Sequence, residues 1–243
     1  MMNKRQIYLR KEIIKLAYNS KLSHIPSALS AIDIMDVVYN NIMNSKDKFI
    51  LSKGHACLAL YILLREKGFN PIISGHPDID VENGIECTTG SLGHGLPMAV
   101  GMALGKKLKN ESGNIYALLG DGECQEGTTW ESFLLSRQLG LDNLIVIIDY
   151  NKFQALGTVD SILSLNNLFD KLCSFGCFVK QVDGHDITSL YNILCGKSID
   201  GLTKAVIANT IKGKGISFME NVYGWHSRGL TEDTYRKAME DLK

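Results

Sequence analysis

The sequence predicts an α/β fold: a doubly wound, mostly parallel sheet with helices on both faces. Three observations carry that expectation. Ile115–Leu119 and Leu144–Ile148 are short, continuous apolar runs, as strands covered on both faces require. Between them, over 128–139, Trp130, Phe133, Leu134 and Leu135 recur at helical spacing and Gly140 supplies a stop, so the unit reads strand, helix, strand. Helical and strand patterns alternate along the rest of the chain without an internal repeat or a low-complexity linker, which predicts a single domain over 1–243.

Taken in order, apolar residues at Ile7, Ile13, Ile14, Leu16 and Ala17, then at Ala28, Ile32, Met35, Val38, Tyr39 and Ile42, predict two amphipathic helices. Ser23-His24-Ile25-Pro26 breaks them, because proline ends helical hydrogen bonding, and the break exposes His24. Leu96–Leu104 interleaves Ala99, Gly101 and Ala103 with larger residues, the pattern of a helix that packs closely on a neighbour. Phe178–Val182 and Ala205–Ala208 read as strands flanking a helix over Ile187–Cys195, with Asp186 as its N-cap. The sheet therefore has at least four parallel strands. Thr231 caps a last helix, with Glu232 and Asp233 favourably placed in its first turn.

Composition is permissive about partners but excludes some classes. The 243 residues carry 26 basic and 26 acidic side chains, and no run of like charges marks a nucleic-acid or membrane arm. At 45% hydrophobic the chain can bury a sizeable core, and 23 glycines against 4 prolines suit a turn-rich α/β fold. Residues 1–10 are charged and lack an apolar targeting segment, and no stretch reaches the roughly 20 apolar residues that a bilayer requires; a cytoplasmic protein is expected. Six cysteines, at 57, 87, 124, 173, 177 and 195, form no C-x-x-C pair and are expected to be free thiols. Cys124 is expected to be the reactive one, since a helix start stabilises a thiolate.

The chemistry concentrates in Gly120-Asp121-Gly122-Glu123-Cys124-Gln125-Glu126-Gly127, together with Asn151. A right-handed crossover sets the two strands parallel, so Asp121 and Asn151 leave adjacent carboxyl ends, where open α/β sheets hold ligands. Gly120 and Gly122 carry no side chain to block a phosphate, and the amides of the following helix offer unpaired donors. A carboxylate and an amide oxygen are hard ligands suited to Mg²⁺ or Ca²⁺ when diphosphate oxygens complete the shell. No Gly-x-Gly-x-x-Gly follows a strand and no Gly-Lys-Ser/Thr ends the loop, which argues against NAD and simple nucleoside triphosphates.

Five motifs occur in one order: Leu51-Ser52-Lys53-Gly54-His55-Ala56, Ser74-Gly75-His76-Pro77, Thr88-Thr89-Gly90-Ser91-Leu92-Gly93-His94-Gly95-Leu96, the Gly120–Gly127 run with Asn151, and Trp225-His226. In these the chain resembles the thiamine diphosphate enzymes, and within them the amino-terminal, diphosphate-binding domain of transketolases, nearly end to end. The resemblance implies thiamine diphosphate with Mg²⁺ or Ca²⁺ held by Asp121, Asn151 and the Phe153 carbonyl. It implies that Gly120, Gly122 and His55 lie near the diphosphate and that Gly90 and Leu92 lie beneath the aminopyrimidine. It further implies that His24, His76 and His226 handle protons of the sugar donor, and that Glu126 links two active sites near a dimer axis. Lys212 is expected either to approach the diphosphate or to belong to a flexible basic loop. His185 reads as a structural turn residue, and His94, which stands where the family often has glutamine, has no assigned role.

Transketolases normally join three domains, so 243 residues imply the amino-terminal subunit of a split enzyme. Its partner would carry the pyrimidine-binding domain and the activating glutamate. Self-association through the diphosphate domain then gives a heterotetramer acting on sugar phosphates, transferring a two-carbon ketol unit from a ketose to an aldose. Where the family commonly has glycines around the first histidine, this chain has Ser23, Pro26 and Ser27; a loop stiffened by Pro26 is expected either to narrow the donor end or to redirect His24, and so to admit a donor outside the pentose phosphates. The alternatives are a related subunit, of a deoxyxylulose-phosphate synthase or a 2-oxo acid dehydrogenase, and a non-catalytic cofactor-binding regulator.

Overall fold

The computed structural model describes residues 2–243. Its centre is a five-stranded, fully parallel sheet in the order β1-β2-β3-β5-β4, built from β1 (Lys48–Leu51), β2 (Ile115–Gly120), β3 (Leu144–Tyr150), β4 (Phe178–Asp183) and β5 (Lys204–Asn209). Alternate residues of each inner strand enter different cores. Tyr116, Leu118, Ile145 and Ile147 join one core, whereas Ile115, Ala117, Leu119, Leu144, Val146 and Ile148 join the other. Burial on both faces explains why these strands read as unbroken apolar runs.

Helices cover each face as the doubly wound reading requires. On the first lie α1 (Lys4–Ser20), α2 (Ile25–Val37), α3 (Cys57–Glu66), α8 (Ile187–Cys195) and α9 (Glu232–Asp241). On the second lie α4 (Gly95–Leu108), α5 (Gly127–Gln138) and α7 (Leu168–Ser174), with the short α6 (Val159–Leu163) beside them. Asp186 caps α8 by accepting from the amides of Thr188 (3.0 Å) and Ser189 (3.3 Å), and the Thr231 side chain accepts from the Thr234 amide at α9. Among the described residues no helix is long and apolar enough to cross a membrane.

The sheet has five strands where at least four were expected; the additional one is β1, whose four residues open on Lys48 and carry too little periodicity to stand out in the sequence. The break between α1 and α2 is narrower than expected: Lys21 ends α1 in the left-handed region, and Pro26 lies inside the first turn of α2. First-turn amides have no helical acceptor, so proline is tolerated there and starts the helix instead of stiffening the loop.

One buried ion pair joins α1 to α2. The Arg10 and Asp33 side chains are both 0% exposed, and Arg10 meets both carboxylate oxygens, Nη1 to Oδ1 at 2.8 Å and Nη2 to Oδ2 at 2.6 Å. The remaining donors of Arg10 go to the carbonyls of Gln6 (3.1 Å), Leu29 (3.3 Å) and Lys214 (2.9 Å). Burial works against ionisation of Asp33, yet the hydrogen bonds from Arg10 and His185 outweigh it and hold the carboxyl below its ordinary 3.8. This stabilisation is present above that pH and is lost as the pH falls through the depressed value. Asp33→Ala leaves a buried guanidinium without a counter-charge and is expected to cost about 3–5 kcal/mol in urea unfolding at neutral pH; a loss under about 1 kcal/mol would contradict this account of the pair.

Candidate active site

The carboxyl ends of β1, β2, β3 and β5 open into a cavity of about 240 Å³. Of the residues expected to meet the cofactor, the metal or the donor sugar, His24, His55 and His76, Gly90 and Leu92, Gly120 to Gly122, Asn151, Phe153, Lys212 and His226 line it; Glu126 does not. A larger open groove of about 980 Å³ lies elsewhere, between the start of α1 and α8, lined by His185 together with Asp183, Asp186, Lys214 and Glu220.

Four imidazoles converge here from distant points of the chain. The His24 ring lies 5.7 Å from His55, 5.8 Å from His76 and 5.1 Å from His226, and His55 lies 5.5 Å from His226. His24 adopts a left-handed backbone (φ 60°, ψ 22°) at the start of α2, a conformation that most side chains avoid. It holds the ring in the cluster, so Pro26 does not turn His24 away. Burial, reinforced by His76 and Lys212, lowers the basicity of His24; burial with Lys53 lowers that of His55 well below the usual value; burial with Lys212 takes His226 down to about 3. These three rings are neutral at pH 7, and a neutral imidazole accepts at one nitrogen and donates at the other.

The charged floor was only partly legible. The Lys53 ammonium (1% exposed) is paired with the Asp149 carboxylate (0%) and also donates to the Ser27 carbonyl at 3.3 Å. Asp149 further accepts from the hydroxyls of Ser30 (2.6 Å) and Thr210. Burial opposes its ionisation, but the Lys53 charge prevails and keeps the carboxyl below its ordinary range. Lys212, 1% exposed, is no flexible basic loop: Nζ donates to the carbonyls of Phe153 (2.9 Å) and Gln154 (3.2 Å) and meets His226 Nδ1 at 2.9 Å. Burial and the Lys53 charge lower it to about 8, so it stays largely protonated at pH 7. Asp149 closes a run of five apolar residues and Lys53 is enclosed by Leu51 and Gly54. A charge in such surroundings must be paired when buried, which was the signal for both.

The loop after β2 differs from the expected anion cradle. Glu123 is buried and accepts from the Ser52 hydroxyl (2.6 Å) and the amides of Gly93 (3.0 Å) and Gly120 (2.9 Å), while the Gly122 amide bonds Asp121 Oδ1 at 2.8 Å. Those two loop amides are therefore occupied by carboxylates, and the cations near the cavity are lysines. The glycines still fit a bound diphosphate. Gly120 has φ −89°, and an added Cβ at Gly120 or Gly122 would meet nothing closer than 3.8 Å or 3.5 Å. The fold itself does not demand glycine at these two positions; the free space faces the cavity. Gly90 is different: it has φ +150° and its Cβ position lies 2.9 Å from the His76 ring, so it lets that ring approach.

Asp121, Asn151 and Phe153, from which a set of hard donors is expected, line the same cavity, where the Phe153 carbonyl accepts from Lys212. Asp121 also accepts from the Lys152 amide, and Asn151 Oδ1 accepts from the Phe153 amide at 3.1 Å. Burial, with Asp149 adding repulsion, pushes the Asp121 carboxyl up to about 7. A carboxylate so short of positive charge suits a divalent cation. Glu126 is exposed and packs its Cβ over Gly93, outside the cavity. His94 is exposed at the start of α4, and His185 is the structural residue expected, bonded to Asp33 and to the Ile211 amide. Cys124 overturns its expectation: it is 1% exposed, and burial with Asp121 and Glu123 raises its thiol well above the usual value.

Comparison with known proteins places this geometry. The family model described as transketolase, thiamine diphosphate binding domain, matches residues 17–242. An apulose-4-phosphate transketolase subunit from Phocaeicola vulgatus is 36% identical over 96% of this chain and 90% of its own length. The 6-deoxy-6-sulfo-D-fructose transketolase subunit SqwG of a Clostridium species is 35% identical over 91% and 89%. Human transketolase is 33% identical over 96% of this chain but 41% of its own length. Transketolase from Leishmania mexicana superposes with a TM-score of 0.90 at 25% identity, covering 100% of this chain and 42% of that one.

Two outcomes follow from the geometry. Gly120→Ala is expected to melt within about 0.5 kcal/mol of the parent while thiamine diphosphate with Mg²⁺ binds about tenfold or more weakly by calorimetry; unchanged affinity would show that the space is not used by the cofactor. Iodoacetamide is expected to label exposed Cys173 and Cys195 and spare Cys124, as read by peptide mass mapping of the native chain; early labelling of Cys124 would refute its burial.

Proposed function

Because the chain belongs to the family of transketolase thiamine diphosphate binding domains, we propose that it is the amino-terminal subunit of a split transketolase, completed by a second chain. The observation that carries the reading is the joining of the four-imidazole cluster to the hard donor set in one cavity. Two relatives covered over most of their length are named as transketolase subunits, which supports a partner; the chain spans only 41% of the one-chain human enzyme. That partner supplies the pyrimidine-binding domain and the glutamate that activates the cofactor. Contact between two copies through the diphosphate domain, with the exposed Glu126 near the axis, makes the assembly a heterotetramer.

When bound, thiamine diphosphate supplies the carbanion chemistry that breaks and re-forms the carbon–carbon bond beside a ketose carbonyl. This chain binds and orients. Asp121, Asn151 and the Phe153 carbonyl hold Mg²⁺ or Ca²⁺, Lys212 and His55 stand by the diphosphate, and Gly90 with Leu92 supports the aminopyrimidine. The neutral imidazoles of His24 and His226, with His76, accept and return protons at the hydroxyls of the donor sugar. The Lys212 ammonium has only hydrogens to give, so His226 Nδ1 is the acceptor of that 2.9 Å contact and its proton sits on Nε2. The ring is thereby set to donate from Nε2.

The test co-expresses the chain with a pyrimidine-domain partner and assays ketol transfer from xylulose 5-phosphate to ribose 5-phosphate with Mg²⁺ and thiamine diphosphate. Apulose 4-phosphate and 6-deoxy-6-sulfo-D-fructose extend the panel, because the relatives carry those sugars in their names. The complex is expected to be active, the chain alone inactive, and Asp121→Ala reduced by about a hundredfold or more. Transfer by the isolated chain would sink the split assignment, and turnover of pyruvate in place of ketoses would move the protein to a related enzyme.

A further inference from the structure

We propose that His185 is a positioning residue for His226, acting through the segment Ile211 to Lys214; this rests on the reading of His226 as a proton-handling group. Among the described residues, the His185 ring makes its hydrogen bonds to Asp33 and Ile211, neither of which lines the cavity. Its Nε2 lies 2.9 Å from the Ile211 amide, which can only donate, so Nε2 is the acceptor and the ring proton resides on Nδ1. That Nδ1–H points to Asp33 Oδ2 at 2.7 Å. Asp33 in turn is fixed by both terminal nitrogens of Arg10. The tautomer of His185 is thus determined from both sides.

The same guanidinium grips the segment a second time, since Arg10 Nε donates to the Lys214 carbonyl at 2.9 Å. Between the two grips, the Gly213 amide bonds the Pro26 carbonyl (3.0 Å) and the Lys212 carbonyl accepts from the Asn221 amide (2.9 Å). Lys212 is therefore held with little backbone freedom, and its ammonium directs three hydrogens at Phe153, Gln154 and His226 Nδ1. One chain of contacts runs from Arg10 through Asp33, His185 and Ile211 to Lys212, and ends in the proton placement of His226. If the Ile211 amide loses its acceptor, the segment can relax and Lys212 no longer enforces the Nε2–H form.

Nitrogen-15 histidine spectra of the full chain at neutral pH test this directly, with His226 assigned by its disappearance in His226→Gln. The expected result is one His226 tautomer, protonated at Nε2. His185→Phe keeps a flat ring but removes both hydrogen-bonding atoms; it is expected to give mixed His226 tautomers and, in the assembled enzyme, a kcat lowered about tenfold to a hundredfold with the donor KM little changed. His185→Gln, whose amide both donates and accepts, is expected to restore the single tautomer and the rate. A wild-type His226 protonated at Nδ1, or a His185→Phe enzyme with the parent tautomer and kcat, would overturn the proposal. Should His185→Phe fail to fold, the wild-type spectrum and the Gln variant decide, mixed tautomers in the latter counting against it. A complex without ketol transfer would refute the functional reading alone, because the tautomer is read without activity.

Discussion

A carboxylate with no access to water sits at the end of β3, and the rest of the site is arranged around it. Asp149 cannot stay ionised in an apolar sheet unless charge and hydrogen bonds reach it. They come from Lys53 after β1, Ser30 on α2 and Thr210 after β5. Satisfying this one group therefore draws three separate parts of the chain to a single edge of the sheet. Two of the imidazoles and Lys212 ride on the same segments: His24 is the N-cap of α2, His55 follows Lys53 by two residues, and Lys212 follows Thr210 by two.

The lysines also settle the electrical character of the cavity. Two ammonium groups stand among the carboxylates of Asp121, Glu123 and Asp149, and they add to burial, the larger effect, in suppressing protonation of His55 and His226. The three neutral rings thus add no positive charge to the cavity, and Lys212 bridges them to the Phe153 carbonyl on the side that Asp121 and Asn151 also line.

The fold was legible wherever burial on both faces left an unbroken apolar run, and β2 and β3 begin where the sequence placed them. Local chemistry was equally readable in the caps at Asp186 and Thr231. Motif resemblance named the four imidazoles, Asp121 and Asn151 of the lining, which periodicity alone would not have supplied, but gave no role to Ser27, Lys53, Glu123, Gln154 or Ala155. What remained hidden depends on partners far away in sequence. The role of Lys53 appears only once Asp149 is beside it, and the amides of Gly120 and Gly122 look free until Glu123 and Asp121 are seen to take them. Cys124 misled for a related reason: position at a helix start favours a thiolate only when water or positive charge reaches the sulfur, and the loop folds it into the core instead.

Arg10 and the Lys214 carbonyl are separated by 204 residues, and that separation bears on how the molecule is made. The helix that carries Arg10 emerges from the ribosome with a guanidinium whose final acceptor has yet to be translated, and His226 emerges later still. The nascent chain can assemble much of its sheet, but its site stays unfinished until the segment that carries His226 has been made.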